Sequence, residues 1–433
     1  MSLLERARNF LLPKFRQILQ FLLKQGIAMA GNLLYGLLCV RILPIPEYAK
    51  FAVLFGYMGS LTVLLDTGIS STLPPLVGEQ ITNLQLIADY VASIRRILSW
   101  VYLAVSPVAV IIFIFLVQKQ HWSTLVVVQM IVVLLVTAWF ARVSSTYGAV
   151  LTLRRDRNRY YRAQIIGSVG SLILLAAFWA FHCLNIYVAI LLNVAQVIFI
   201  AITYYTRARE LMGCKGVPTR RQEKAIVNLA LPNVPSMVFY AIQGQITLML
   251  ITLFGHSASS VASIGALSRL GQILVFLAPM NAILVEPFFA KLQASRLKRT
   301  YLAGVALVTG FAAGFAALAF LFPQVFLWIL GPNYNQLRVE VGLVVLGSTI
   351  RFVGGFMWTI HTSRRFVYWW NNVANIICTV LVQAAFLWKF DLSSIRGVLI
   401  FNIVSAIVGL LITISSGVYG FWHGPQKMDR SAA

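Results

Sequence analysis

Arg269 and Arg351 stand within long apolar stretches; the 44 residues between Lys224 and Arg269 carry no charge at all. A guanidinium keeps its charge and offers five N–H donors in a planar fork that matches an oxyanion in bidentate fashion. The chemistry such residues offer is therefore anion binding. The bland alternative is that each bonds carbonyls or a carboxylate and only holds helices together. Asn193, Gln243, Gln245 and Gln383, with Gln196 and Asn402, lie in similar apolar stretches. They supply the neutral donors and acceptors that sugar hydroxyls need, and equally the bonds that join helix to helix. Arg41 ends the first apolar run as a further candidate contact, with pairing to Glu47 as its structural alternative. Asp66, Glu286 and Glu340 are the few carboxylates near the ends of apolar runs. They are the candidates for exchanging a proton or sodium ion, against capping or pairing roles. His182, His256 and His361 read as turn residues, the last interfacial beside Arg364 and Arg365.

Chemistry on bonds is not indicated. No G-x-x-x-x-G-K-[ST] loop is present, and Cys39, Cys183, Cys214 and Cys378 form no CxxC pair and stand among no ligand-spaced histidines. No enzyme activity, metal or cofactor is expected beyond coupling to H+ or Na+. A net charge of +23 would suggest nucleic acid in a soluble chain, but the basic residues form short clusters rather than a continuous face.

The elements that position these residues are read from the charge pattern. The 433 residues are 59% hydrophobic and only 11% charged, against about a quarter charged in a soluble domain. Uncharged gaps of 22 or 23 residues lie between Arg96 and Lys119, Lys119 and Arg142, and Arg365 and Lys389. Each is long enough for one helix of ~20 residues to cross the hydrocarbon, where stray amides find no partner. About twelve spans result: 25–43, 49–71, 98–117, 123–141, 163–182, 185–205, 227–253, 261–283, 301–322, 340–360, 373–389 and 397–418. Arg142 is read as opening the loop around 155. With the N-terminus inside, the alternate segments on that side hold 27 Lys and Arg and the outer loops six, which places both termini in the cytoplasm. The basic tail before residue 25 reads as an uncleaved, inward-held segment. The basic connection 206–226 divides the chain into a six-helix half at 1–205 and another at 227–433. A faint parallel repeat supports the division, since both halves carry a proline patch after their second helix, LPPLV from Leu73 and VEPFF from Val285. Gly310 with Gly314, and Gly167 with Gly170, read as close-packing faces.

Residues 31–79 add a resemblance. A small-residue helix ending in Arg41-Ile42-Leu43, then Pro46-Glu47-Tyr48, then a helix ending in Asp66-Thr67-Gly68, resembles the opening of the Wzx-type polysaccharide-biosynthesis flippases. These are members of the multidrug/oligosaccharidyl-lipid/polysaccharide (MOP) exporter superfamily; Ala49 departs from the glycine usual there. The stretch 264–292 resembles that family's eighth helix, and Leu330-Gly331-Pro332-Asn333-Tyr334 its outer turn before the tenth. The resemblance implies a V-shaped, MATE-like bundle of two six-helix lobes in the bacterial inner membrane, acting as a monomer. It further implies flipping of an undecaprenyl-pyrophosphate-linked oligosaccharide to the periplasmic leaflet for O-antigen, capsule or exopolysaccharide synthesis, beside a polymerase and chain-length machinery. A drug or small-cation exporter of the same superfamily, and a polytopic glycosyltransferase or polymerase, are the alternatives.

The orientation is testable directly. Cysteines introduced at positions 155 and 215 are expected to resist an impermeant thiol reagent in intact cells, and cysteines at 120 and 257 to react. Labelling of both sets from outside excludes the assignment.

Overall fold

Inside hydrocarbon a backbone amide can bond only to its own chain, so runs of this composition become helices. The computed structural model describes residues 3–78, 80–154, 156–255, 257–275, 277, 281 and 285–424, and their side chains from residue 23 onward except at Val275, Ala294 and Trp369. No strand occurs among the described residues. In chain order the helices are α1 (Leu3–Ile42), α2 (Ile45–Asp66), α3 (Leu73–Val77), α4 (Leu84–Val117), α5 (Thr124–Leu153), α6 (Arg157–Ala180), α7 (Ile186–Met212), α8 (Arg220–Ala230), α9 (Val234–Gln243) and α10 (Ile246–Phe254). There follow α11 (Ala258–Val275), α12 (Glu286–Lys291), α13 (Ala294–Leu321), α14 (Pro323–Leu330), α15 (Arg338–Ser363), α16 (Trp369–Lys389) and α17 (Ile395–His423). Among the described residues eleven helical segments are long and apolar enough to cross a membrane. The chain is a polytopic α-helical membrane protein.

Two compact units form, Ile27–Gly265 and Ala266–Ala433 with Met1–Gly26. In the first, α2 lies inside a wrapping of α4, α5, α7, α9 and α10. Its apolar stretch is 61% buried, against 17–44% for the other crossing segments, which present one face outward. Leu98, Val150, Leu151, Ala208 and Ile226 form the core where α4, α5, α7 and α8 meet. In the second unit α15 packs on α13 and α17. Phe289, Leu297, Tyr301, Phe356, Ile360 and Phe366 fill that junction. Trp100, Ile111, Leu307 and Leu381 are more than half exposed, as side chains facing lipid should be.

Several local expectations change. Helices outrun the apolar spans, because a helix need not stop where the hydrocarbon does. Thus α4 begins at Leu84, capped by the Asn83 side chain, rather than at 98, and α5 runs through Arg142 to Leu153. The seventh span is broken: Leu231–Asn233 forms a 3₁₀ turn at Pro232, α9 follows, and Gln245 leaves helical geometry (φ −123°, ψ 4°) before α10. The eighth, expected over 261–283, is helical at Ala258–Val275 and partly outside the described residues, as is His256. The two proline patches do form short helices, α3 and α12. Gly167 is a packing glycine, where a Cβ would meet Gln196 and Ile200 at 3.2 Å; Gly170, Gly310 and Gly314 face open space and pack nothing. His361 is not a turn residue at an interface. It lies in the last turn of α15, fully buried, with Nε2 3.0 Å from the Tyr301 hydroxyl.

The connection 206–226 proves largely helical and tied down. Its first residues extend α7, its last begin α8, and 213–219 lies against α4. Asp89 accepts the Val217 amide at 2.8 Å, and Ser93 bonds Gln222 at 3.1 Å. Gly216 permits this approach, since a Cβ there would lie 1.9 Å from the Ala88 carbonyl oxygen. Gly216→Ala is therefore expected to lift the segment off α4 and speed tryptic cleavage after Lys215 and Arg220 about tenfold or more, as local opening becomes easier. Cleavage at the wild-type rate in open membrane fragments would contradict this packing.

Candidate functional site

The first unit contains a cavity of about 570 Å³ built from α2, α5, α7 and α9. Arg142 lines it from two thirds of the way along α5. Only 6% of Arg142 is exposed. Its guanidinium lies 3.8 Å from the Trp139 ring, one turn back on the same helix, and 6.0 Å from Tyr102 of α4. It also donates to the Ser99 hydroxyl. Cation–π stacking and one neutral acceptor thus fix the charge, and no carboxylate among the described residues pairs with it. The remaining donors of the fork are not sealed in protein.

Asp66 lines the same cavity at the C-terminal end of α2, a place where the helix dipole disfavours a carboxylate. Local bonds hold it: Oδ1 accepts the Ser70 amide at 2.9 Å and Oδ2 the Ser145 hydroxyl at 2.5 Å. The chain turns away there through Thr67 (φ 41°) and Gly68 (φ 80°), a left-handed pair that glycine makes easy. Thr62, Ser71 and Ser144 complete a hydroxyl-bearing wall, and Val63, Val197, Ile200 and Met237 an apolar one.

The arginines singled out from sequence lie in the second unit. Arg351 is midway along α15, exposed, and donates to Asn402 Oδ1 of α17. Arg269 is 5% exposed on α11 and bonds Gln272 at 3.3 Å. The two helices are neighbours, because a Cβ at Gly271 would lie 2.7 Å from the Ser348 hydroxyl. Neither arginine lines the larger groove of this unit. That groove, about 920 Å³ between α13, α15 and α17, is apolar apart from Lys298, Tyr301 and two threonines.

The other candidates divide by surroundings. Gln196 bonds Asn32 at 2.8 Å and accepts from Ser171 at 2.8 Å, and Gln383 bonds Ser405 at 2.9 Å, so both join helices. Gln245 lies on α2 at Gly56, whose missing side chain makes room for it. Gln243 ends α9, half-buried. Asn193 borders a small pocket with Phe51 and Met58. Glu47, read as the partner of Arg41, accepts the Ile186 amide at 3.2 Å and so caps α7, while Arg41 is exposed at the end of α1. Glu340 is 7% exposed and accepts from Arg396 at 2.7 Å; Glu286 is exposed in the first turn of α12. Arg142 is not among the sequence candidates, because a charge reads as the end of a span. The eleven uncharged residues between it and Arg154, with an aromatic three positions before it, were the available sign that the helix continues.

No family model matches this sequence, and no curated protein does. Solved structures do. An inward-facing multidrug resistance MATE family transporter of the MOP superfamily aligns over 93% of this chain and 96% of its own, with 16% identity and a TM-score of 0.66. The lipid II flippase MurJ, in an inward closed conformation, aligns over 93% and 89%, with 13% identity and a TM-score of 0.66. A MOP superfamily transporter from Pyrococcus furiosus, described by the reverse polarity of its binding pocket, aligns over 94% and 96% at 16% identity, with a TM-score of 0.53. Likeness at these identities speaks for architecture, and over nearly its whole length this chain has the fold of the MOP superfamily transporters.

Proposed function

We propose that the chain is a flippase that moves a polyprenyl-pyrophosphate-linked oligosaccharide from the cytoplasmic to the periplasmic leaflet of a bacterial inner membrane by alternating access. One observation carries the reading: Arg142 and Arg351 lie well inside apolar helices with neutral side-chain partners. A charge at such depth costs at least ~2.5 kcal/mol unless a ligand, dipole or water compensates it. A pyrophosphate does so, and guanidinium forks suit its oxygens. The neutral Gln243, Gln245 and Asn193 suit the sugar, whereas Gln383 is spent on Ser405. A similar structure is that of a flippase of lipid II, and another, of a MOP superfamily transporter, is described by a binding pocket of reverse polarity that suggests a different function. A drug or cation exporter would instead draw its substrate to buried acids, and the carboxylates here are few and locally bonded. Asp66, Glu286 and Glu340 stand as the groups for ion coupling, and a polymerase and chain-length machinery as downstream partners.

Arg351→Ala or Arg269→Ala is expected to reduce surface polysaccharide about tenfold or more at unchanged protein level, with partial rescue by lysine, which keeps the charge but not the fork. Full complementation of a null strain by both alanine variants would remove the arginines from transport.

The reading itself is tested by the sidedness of labelled lipid-linked units in a deletion strain. Accumulation on the cytoplasmic side is expected. Single units on the periplasmic side would indicate a polymerase, and unchanged carbohydrate with altered drug sensitivity an exporter.

A further inference from the structure

The groove of the second unit has a polarity of its own. α13, α15 and α17 enclose its 920 Å³, with Lys298, Tyr301 and Trp422 at one end. Contacts fix that end: the Tyr301 ring lies 5.1 Å from Phe421 in the last turn of α17, and Lys298 is one turn nearer the start of α13. Trp422 is 80% exposed, as an indole at the membrane–water boundary should be. Exposed Arg296 and Arg299 flank Lys298, and Arg364 donates to the Leu292 carbonyl just before α13. Lys298 makes no ion pair among the described residues. Two other polar groups of the lining are already spent, Tyr301 on Nε2 of His361 at 3.0 Å and Thr349 on the Leu346 carbonyl at 2.8 Å. Farther in, Ala312, Ala313 and Ala316 hollow an apolar floor. α15 lines the groove from Leu346 to Met357 and α17 from Leu410 to Trp422, ~16–18 Å at ~1.5 Å per residue. α13 alone runs farther. Half of a hydrocarbon core is ~15 Å, so the part walled on both sides has the depth of one leaflet. Leu302 and Val418 on the rim are 56% and 46% exposed, as side chains facing lipid should be.

We infer that this groove holds one acidic phospholipid, its phosphate on Lys298 and an acyl chain along Ala312, Ala313 and Ala316. A slot that is cationic at one end and apolar for the depth of a leaflet complements an amphiphile with a single anionic head. Basic pockets between spans at the cytoplasmic face recognise acidic headgroups in this way, and the orientation read from the loops puts Lys298 on that side. The neighbouring arginines oppose the amine of a zwitterionic headgroup and so set the preference. The inference stands apart from the flippase reading, because Arg142, Arg269 and Arg351, which that reading gives to transport, do not line this groove.

The test is lipid binding to the purified full chain, read by native mass spectrometry from detergent. Phosphatidylglycerol and phosphatidylcholine with the same acyl chains are titrated separately. Phosphatidylglycerol is expected to fill one site about fivefold or more tightly, the preference that one basic residue at the membrane surface supplies. Lys298→Gln, a change at an exposed position that leaves the fold intact, should bring the two lipids within about twofold of each other. Lys389→Gln, at the exposed lysine that ends α16 at the opposite end of the spans, should leave the preference unchanged. Ala313→Phe, which puts a ring on the exposed floor, should weaken both lipids about tenfold, as lost apolar contact along a chain does. Undecaprenyl phosphate at equal concentration should not displace phosphatidylglycerol, because its chain outruns a slot one leaflet deep. Equal binding of the two lipids, an unchanged preference in Lys298→Gln, a preference lost equally in Lys389→Gln, or wild-type binding in Ala313→Phe overturns the inference. Displacement by undecaprenyl phosphate overturns it too, by giving the groove to the chain of a transported lipid.

Discussion

A cation held in hydrocarbon must find an opposite charge, a ring face, dipoles or water, and that demand organises the first unit around Arg142. Trp139 gives a face from the same helix, and α4 contributes Tyr102 and the Ser99 hydroxyl from across the contact. The arrangement explains why α4 and α5 must keep their register over this stretch. A shift of one residue would turn Ser99 away and leave the guanidinium against aliphatic side chains.

The second unit meets the same demand by another route. Arg351 crosses to Asn402 on α17, and Gln383 reaches Ser405 on that helix from α16. Hydroxyls within helices return to their own carbonyls, as Ser405 does to Phe401 and Thr137 to Val133. Such bonds keep polar side chains satisfied without exposing them to lipid. Ion pairs with carboxylates, among the described residues, lie elsewhere: Arg207 with Asp156, Arg396 with Glu340, Arg96 with Glu223. Charge is thus neutralised by charge at the connections and by neutral groups in the spans.

What the sequence discloses follows from range. The existence of the spans depends on average polarity over ~20 residues, and it was legible. Arg269 and Arg351 were legible as embedded charges because apolar sequence extends far on both sides. Arg142 was not, since its meaning depends on whether the helix runs on to Leu153, and that is decided by packing on α7. The roles of glycines were equally hidden. Gly310 and Gly314 have the spacing of a packing motif and touch nothing, whereas Gly56 and Gly216 have no motif and make the close approaches. His361 stood beside two arginines in the chain, yet the last turn of α15 directs it inward to Tyr301.

The interruption between α9 and α10 has a mechanical consequence. An unbroken helix is a stiff rod because each turn is laced to the next by amide–carbonyl bonds. At Gln245 the lacing tightens to a single turn, its amide bonding Ile242 three residues back instead of four, and the seventh crossing becomes two rods of ten and nine residues that meet at that turn. A change of angle between the two halves is concentrated at that turn. The Gln245 side chain rests in the notch left by Gly56, so the turn is seated against α2.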